Sequence, residues 1–404
     1  MMQRLAQFGA TLSGGLRRVT GDGSVREAAV AFVLTRFVVF AVFIITGAAS
    51  LDSTAPDFNR DDPHPRSSIR PQEVKKQLEH TLMRGDSGWY VEIARRGYDR
   101  AAFETTKQHN WVFFPLYPMV VRLAAGWTGE FLIWGALLSN GLFFLALILL
   151  HKLVTSLGDD KPTADRAVFY TAIFPVSYFF SLPMTESLFL CLNMASFLAA
   201  ARGRWWLAGV CGGLSSAARV NGVLLVPVLA LFYLQQTDRS KWRGDVLWLA
   251  LVPVGLLTFM FFLWKITGNP LAFIDAQAAW QRKGGFFLLT LYEYIKSPLK
   301  VIEPWNFRAL HFGAAILALG AAFFWARRKE WAFAVLTFLS ILLPLSLGGL
   351  HSTTRYVAVI FPVFIALAVA GRELWVDRAI CVVFLALFGL LTLCYALRFS
   401  FASA

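Results

Sequence analysis

FFPLYPMVVRLAAGW, Phe113–Trp127, decides how this chain is arranged. It is apolar enough to enter a membrane, yet at 15 residues it falls short of the roughly 20 that a hydrocarbon core requires. Pro115 and Pro118 each remove a backbone donor, and Arg122 puts a charge near its middle. Together these features predict an interfacial helix lying along the membrane surface. The alternative, a short true span, would reverse the side on which every later connection falls.

Outward from this stretch the chain is dominated by apolar runs. It is 57% hydrophobic and only 16% charged over 404 residues, with a mean hydropathy of +0.57. That leaves too little polar surface to cover a water-soluble globule. The fold class is therefore an all-α polytopic membrane protein. We read spans at 29–50, 131–151, 165–181, 185–201, 205–218, 220–236, 245–267, 307–326, 331–348, 352–371 and 376–397, a bundle of about 11 transmembrane helices. No cleavable leader is expected, because the first run follows an arginine-containing segment and is too long for a signal core. Residues 1–28 are expected to be a cytoplasmic N-terminal segment, 29–397 the transmembrane domain and 398–404 a C-terminal tail.

The formal charge of +13 does not indicate nucleic acid, and none is expected as a partner. The basic residues form short clusters between apolar runs: the segment before residue 28, then 151–153, 202–204, 238–243, 327–329 and 371–378. With 113–127 interfacial, all six fall on one side, and the excess of Lys and Arg makes that side the cytoplasm. Cys191, Cys211, Cys381 and Cys394 lie inside apolar runs and read as small core residues, not as a disulfide framework or a zinc site.

The opposite side collects the polar interruptions: 51–130 as a first external loop, SLPMTES (181–187), ARVNG (218–222), 268–306 as a second large external loop, and HSTTRY (351–356). An extracytoplasmic cavity is the expected site. Within the first loop, 51–70 is rich in proline and aspartate and reads as irregular chain. RGDSGWYVEIARRGYD, Arg84–Asp99, follows. There Trp89, Tyr90, Ile93, Ala94 and Gly97 recur at helical spacing, and Glu92, Arg95 and Arg96 take another face. This is a second amphipathic helix, with Trp and Tyr suited to interfacial depth. Asp86 and Ser87 stand just before it as candidate caps. A carboxylate fixed at a helix start is also suited to take a proton from a bound hydroxyl, and the residues alone leave both roles open.

Six segments occur in order: GDSGWYVEIARRGY, WVFFPLYP, FPVSYFFSLPMTESLFL, RGRWWLAGVCGGLSSAARVNG, NPLAFIDAQAAWQR and TTRYVAVIFPVF. Together they resemble the phosphatidylinositol-glycan class V type mannosyltransferases and their bacterial relatives, in the GT-C superfamily of membrane glycosyltransferases. The likeness covers most of residues 84–365. It departs from the family where Gly85, not an aromatic residue, precedes Asp86, and where Val220, not proline, follows Arg219. The resemblance implies a GT-C type bundle with interfacial helices in the first external loop and a polyprenyl-phosphate sugar as donor. It also implies inverting transfer of mannose to an extracytoplasmic lipid, glycan or protein acceptor, with Asp86 as the general base. A bacterial inner membrane location, with the site on the extracytoplasmic face among membrane lipids, goes with it.

A lipid phosphate leaving group needs cationic partners near the external surface. Arg355 is the first candidate because a guanidinium pairs phosphate oxygens with two donors; an interfacial anchor is its other reading. Arg219, in an apolar context, must face a cavity or a partner, either donor phosphate or Glu186. Glu186 is read as orienting the acceptor, holding Arg219, or capping the next helix, where Thr185 can also serve. Trp89, Tyr90, Tyr117, Gln277 and Trp280 complete the candidate substrate-binding set, and Arg282 and His351 are weaker candidates. No metal site is assigned, since Asp86 and Glu92 fall on different helix faces and Asp61–Asp62 reads as solvated loop. No cofactor is expected, and an added divalent cation is left open. Arg36, inside the first span, is expected to snorkel to the cytoplasmic interface. The rival from another class is a lipid or sugar transporter, which predicts internal repeats and ionisable residues at mid-depth. No repeat is visible, and the polar motifs gather on one side. A scaffold without enzymatic function predicts that acid and arginines do not converge.

Overall fold

The computed structural model describes residues 23–52, 71–236, 244–280, 284–296, 308–346, 352–399 and 402. Among them the chain is all-helical, without strand. In chain order the helices are α1 (Gly23–Asp52), α2 (Pro71–Leu82), α3 (Asp86–Arg96), α4 (Leu116–Ala125), α5 (Phe131–Ser156) and α6 (Lys161–Ala172). There follow α7 (Glu186–Ala201), α8 (Trp205–Ala218), α9 (Leu225–Gln236), α10 (Val254–Thr267), α11 (Ala272–Asp275) and α12 (Phe287–Lys296). The last are α13 (Arg308–Arg327), α14 (Trp331–Leu345), α15 (Thr353–Ala358), α16 (Phe361–Ala370) and α17 (Leu374–Ala396). Among the described residues five stretches are long and apolar enough to cross a membrane: Gly23–Ala49 in α1, α5, Gly244–Thr267, Ala309–Arg327 in α13, and α17. At 1.5 Å per residue, α5 alone extends about 39 Å. Phe37, Leu137, Phe261 and Val382 point out of the bundle and stay exposed, as lipid-facing side chains do where the solvent is itself apolar. The protein is an integral membrane protein.

The quoted stretch forms α4, which hydrogen bonds from Tyr117 dock onto the first turns of α5. Tyr117, in its first turn, donates its hydroxyl to Gly135 O at 2.8 Å, and Gly135 lies near the start of α5. The same hydroxyl meets Ser139 Oγ at 2.7 Å, one turn further along α5. Ten residues also cover only about 15 Å, half a bilayer core. Tyr117, Pro118, Val121 and Ala125 face inward, whereas Met119, Leu123 and Trp127 stand exposed.

Four of the expected spans are not continuous helices. The run 165–181 ends as a helix at Ala172 and continues as coil and a tight turn over Ser177–Ser181, because Phe174, before Pro175, is steered away from helical geometry. Gly244–Leu251 is a tight 3₁₀ turn, and α10 restarts after Pro253. Val220–Leu224 is likewise 3₁₀ before α9. The run 352–371 divides between Ala358 and Phe361, with Pro362 in the first turn of α16. Irregular backbone at membrane depth is tolerated where protein groups satisfy it. Trp325 Nε1 donates to Pro362 O at 3.0 Å, and Ser216 Oγ donates to Val252 O at 2.6 Å.

Arg36 serves the same purpose, which corrects the snorkelling expectation. It is buried in α1, donates Nη1 to Ser177 O and Ser181 Oγ, each at 2.9 Å, and Nη2 to Ser177 Oγ at 2.8 Å. Its guanidinium also lies over the Phe143 ring. The carbonyl and hydroxyls freed by the break after α6 supply what water would otherwise supply, so the side chain turns inward.

Close backbone approach locks α8 onto the segment 244–256. A Cβ on Gly209 would stand 2.1 Å from Trp248 O, and one on Gly255 would stand 2.1 Å from Gly213 O. Small residues of this kind let helices approach without a hydrophobic driving force.

Some of the polar connections meet in space. Arg372, after α16, pairs with Asp159 between α5 and α6 at 2.8 Å and with Thr163 in the first turn of α6 at 3.0 Å. Lys161 reaches Glu27 of α1 at 3.5 Å, and Gln235, at the end of α9, binds Lys329 O at 2.7 Å between α13 and α14. Asp159, Arg328 and Glu330 also border one pocket, so these turns gather at one end of the bundle.

A candidate active site of paired acids and arginines

Helix α3 begins at Asp86 because Gly85, at φ +60°, takes a left-handed conformation that suits glycine. Gly85 occupies the cap position without a side-chain bond, so Asp86 is the first helical residue and not the cap. Its Oδ2 accepts instead from Arg355 Nη1 at 2.5 Å. The neighbouring Ser87 Oγ is buried without a hydrogen-bond partner among the described residues.

Glu186 opens α7 after the irregular Leu182–Pro183 corner. The capping reading does not hold for Thr185, which makes no side-chain cap bond; its Oγ1 stands 3.4 Å from Tyr90 Oη. Glu186 is 0% exposed. Its Oε1 accepts from Arg219 Nη1 at 3.1 Å and also from Arg355 Nε. Arg219 leaves the end of α8 in extended backbone, and its guanidinium lies over the rings of Tyr356 and Phe189. Arg355, in the short α15, lies over Phe179. The result is a chain of alternating charge, Asp86–Arg355–Glu186–Arg219. Two carboxylates balance two guanidinium groups, which is how charges persist in an apolar interior where a lone ion would be costly.

This chain borders a cavity of about 240 Å³ lined by Asp86, Tyr90, Arg219, Gln277, Trp280 and Arg355, with Phe113, Phe114, Phe273 and Tyr356 as aromatic wall. Of the residues singled out from sequence, those six face the cavity. Glu186 lies behind the two arginines. Trp89 and Tyr117, also expected to bind substrate, stand outside this lining. Trp89 stacks on Phe113 at 5.6 Å and meets Trp280 edge-on at 6.0 Å. Tyr117 is fully buried behind Tyr90, with its hydroxyl engaged by Gly135 and Ser139. Burial pushes the phenols of Tyr90 and Tyr117 above their ordinary range, so both remain neutral hydroxyls.

Tyr356, Asn221 and Phe273 line the cavity but were not anticipated. The first two are chain neighbours of Arg355 and close to Arg219, a signal available in the sequence. Nothing in the apolar pattern marks Phe273 from the many other phenylalanines. Arg282, His351 and Asp61–Asp62 lie outside the described residues.

Among the described residues no group of three His, Cys, Asp or Glu side chains could hold a metal ion. Asp86 at the cavity and Glu186 behind it each already accept from a guanidinium, a donor set that suits an anion beside the arginines better than a divalent cation. Chemically, the site combines one cavity-lining carboxylate with two cations an anion can reach.

The family model described as Mannosyltransferase (PIG-V) matches residues 26–242 of this chain. The chain is similar to GPI alpha-1,6-mannosyltransferase 2 of Cricetulus griseus, 28% identical over 191 residues that cover 43% of this chain and 36% of the relative. It is also similar to GPI mannosyltransferase 2 of Yarrowia lipolytica, 28% identical over 140 residues, 34% of this chain and 37% of the relative. The match thus spans well under half the length of either relative. Among solved structures, the apo oligosaccharyltransferase of Archaeoglobus fulgidus is similar at 14% identity and a TM-score of 0.49, over 93% of this chain and 55% of that one. ArnT from Cupriavidus metallidurans bound to undecaprenyl phosphate is similar at 15% identity and a TM-score of 0.48, over 91% and 69%.

Proposed function

The chain belongs to the Mannosyltransferase (PIG-V) family, and on that premise we propose that it transfers mannose from a polyprenyl-phosphate donor to an extracytoplasmic acceptor. The observation that carries this reading is the pairing of Asp86 with Arg355 at the cavity. A base and a phosphate-binding cation must border the same space, and here both line one cavity. In the proposed reaction an acceptor hydroxyl attacks the anomeric carbon of mannose. The bond from that carbon to the phosphate oxygen breaks, the hydroxyl proton passes to Asp86, and polyprenyl phosphate departs against Arg355 and Arg219. Configuration at the anomeric carbon inverts. Charge developing on the leaving phosphate is met by guanidinium donors already held in place, the arrangement that lowers such barriers most.

We take the bundle to be of GT-C type, crossing the membrane about 11 times, with α3 and α4 in the interface. The gathering of Arg372, Lys161 and Lys329 at one end supports a cytoplasmic assignment for that end. The cavity then opens to the extracytoplasmic side. Gln277 and Trp280 are assigned to sugar or acceptor contact, Trp280 through its ring face. The test is a reconstituted assay with radiolabelled polyprenyl-phosphate mannose. Label appearing on acceptor supports the reading, and failure with mannose but success with another lipid-phosphate sugar revises the sugar alone. Absence of transfer from any lipid-phosphate sugar contradicts it.

A further inference from the structure

The two carboxylates that share Arg355 are not equivalent. Glu186 is completely buried, whereas the Asp86 side chain is 37% exposed and lines the cavity. Arg355 presents Nε to the buried acid and Nη1 to the accessible one. An anion entering the cavity therefore meets the guanidinium on the side that Asp86 now occupies, while the opposite side stays anchored.

We propose that donor binding exchanges one anion for another at Arg355. The lipid phosphate takes the Nη1 donor from Asp86, and Glu186 keeps the guanidinium in place through Nε. This inference rests on the donor reading given above. While its Oδ2 accepts from the guanidinium, the Asp86 carboxylate is held toward Arg355, so before the donor binds it is not directed at an acceptor hydroxyl. Once phosphate has taken Nη1, the carboxylate can turn from Arg355 toward the acceptor. Activation of the acceptor thereby becomes conditional on an occupied donor site. Only hydrogen bonds and ion pairs change in this exchange. Glu186 is a positioning residue in it: it touches no substrate, but without it Arg355 would have no fixed point from which to trade partners. Arg219, held by the same Glu186 Oε1, is the second cation facing the incoming phosphate.

The exchange predicts that removing the acid tightens binding of the lipid. The experiment measures the affinity of a polyprenyl phosphate for the full chain in phosphatidylcholine nanodiscs, for wild type, Asp86→Asn, Arg355→Gln and the double variant. Asp86→Asn is expected to bind about tenfold more tightly than wild type, a size typical of coupling between close charges. In the Arg355→Gln background the same change is expected to do nothing. A gain of equal size in that background would mean simple repulsion through space and would overturn the exchange, as would an unchanged or weaker affinity for Asp86→Asn. Glu186→Gln is expected to shrink the gain from Asp86→Asn, an effect that a purely structural role would not produce; an undiminished gain removes Glu186 from the device. Thermal unfolding of each variant reports folding, and Asp86→Ala carries the same expectation should the asparagine variant not fold. If wild type fails to bind the lipid at all, the donor reading falls and the exchange with it. Wild-type binding without a gain in Asp86→Asn overturns the exchange alone.

Discussion

Arg355 joins Asp86 to Glu186, donating Nη1 to one carboxylate and Nε to the other across 269 and 169 positions of sequence. The contact gathers the start of α3, the start of α7 and the short α15 around one guanidinium. Arg219 extends it through the same Glu186 oxygen.

The first consequence concerns Glu186. Replacing it with Gln leaves two arginines without their shared buried anion, and breaking a buried pair by removing one partner costs about 3–5 kcal/mol. Glu186→Gln should therefore melt well below wild type in detergent and lose most transfer activity. A melting temperature and activity close to wild type would contradict the anchoring role.

Ser177 tests the buried arginine of α1. Its hydroxyl accepts from Arg36 Nη2 at 2.8 Å, so Ser177→Ala leaves a buried charged donor short of a partner, at a cost of about 1–3 kcal/mol. Thermal unfolding reads this directly. A shift too small to measure would mean that Arg36 is satisfied without this bond.

Gly255 tests the packing of α8 on the segment before α10. A Cβ there would meet Gly213 O at 2.1 Å and Ala217 N at 2.6 Å, both backbone atoms that cannot swing away. Gly255→Ala should destabilise by about 1–3 kcal/mol as overpacking does, and unchanged unfolding would show that the two segments separate freely.

Much of this was legible in the sequence, for a physical reason. In an apolar chain every polar residue must have a purpose, so Asp86, Glu186, Arg219 and Arg355 stood out, and the Glu186–Arg219 pair was among the readings left open. Which acid Arg355 would meet was not legible, because nothing local relates positions 86 and 355. The same limit hid the partner of Arg36. Helical spacing placed Trp89 and Tyr117 on plausible faces but could not tell the residue at the cavity from the one packed behind it. The breaks after Ala172 and after Ala358 were legible in Pro175 and Pro362, but unbroken apolar composition across them reads as continuous spans.

Trp280 separates recognition from chemistry. It lines the cavity and meets Trp89 and Phe113 edge-on, so its loss removes an apolar face without touching the acid or the arginines. Trp280→Ala should raise KM about tenfold while kcat stays within about threefold, the signature of lost ground-state and transition-state binding in equal measure. A fall in kcat with KM unchanged would place Trp280 in the chemical step instead.

The central claim is that Asp86 takes the acceptor proton, and the most direct measurement is transfer of radiolabelled mannose from its polyprenyl phosphate by reconstituted wild type and Asp86→Asn. Loss of a positioned general base slows such a step by about 10²–10⁴-fold. The predicted result is a folded Asp86→Asn protein whose transfer rate falls by a factor in that range. Transfer at the wild-type rate by that variant would contradict the account.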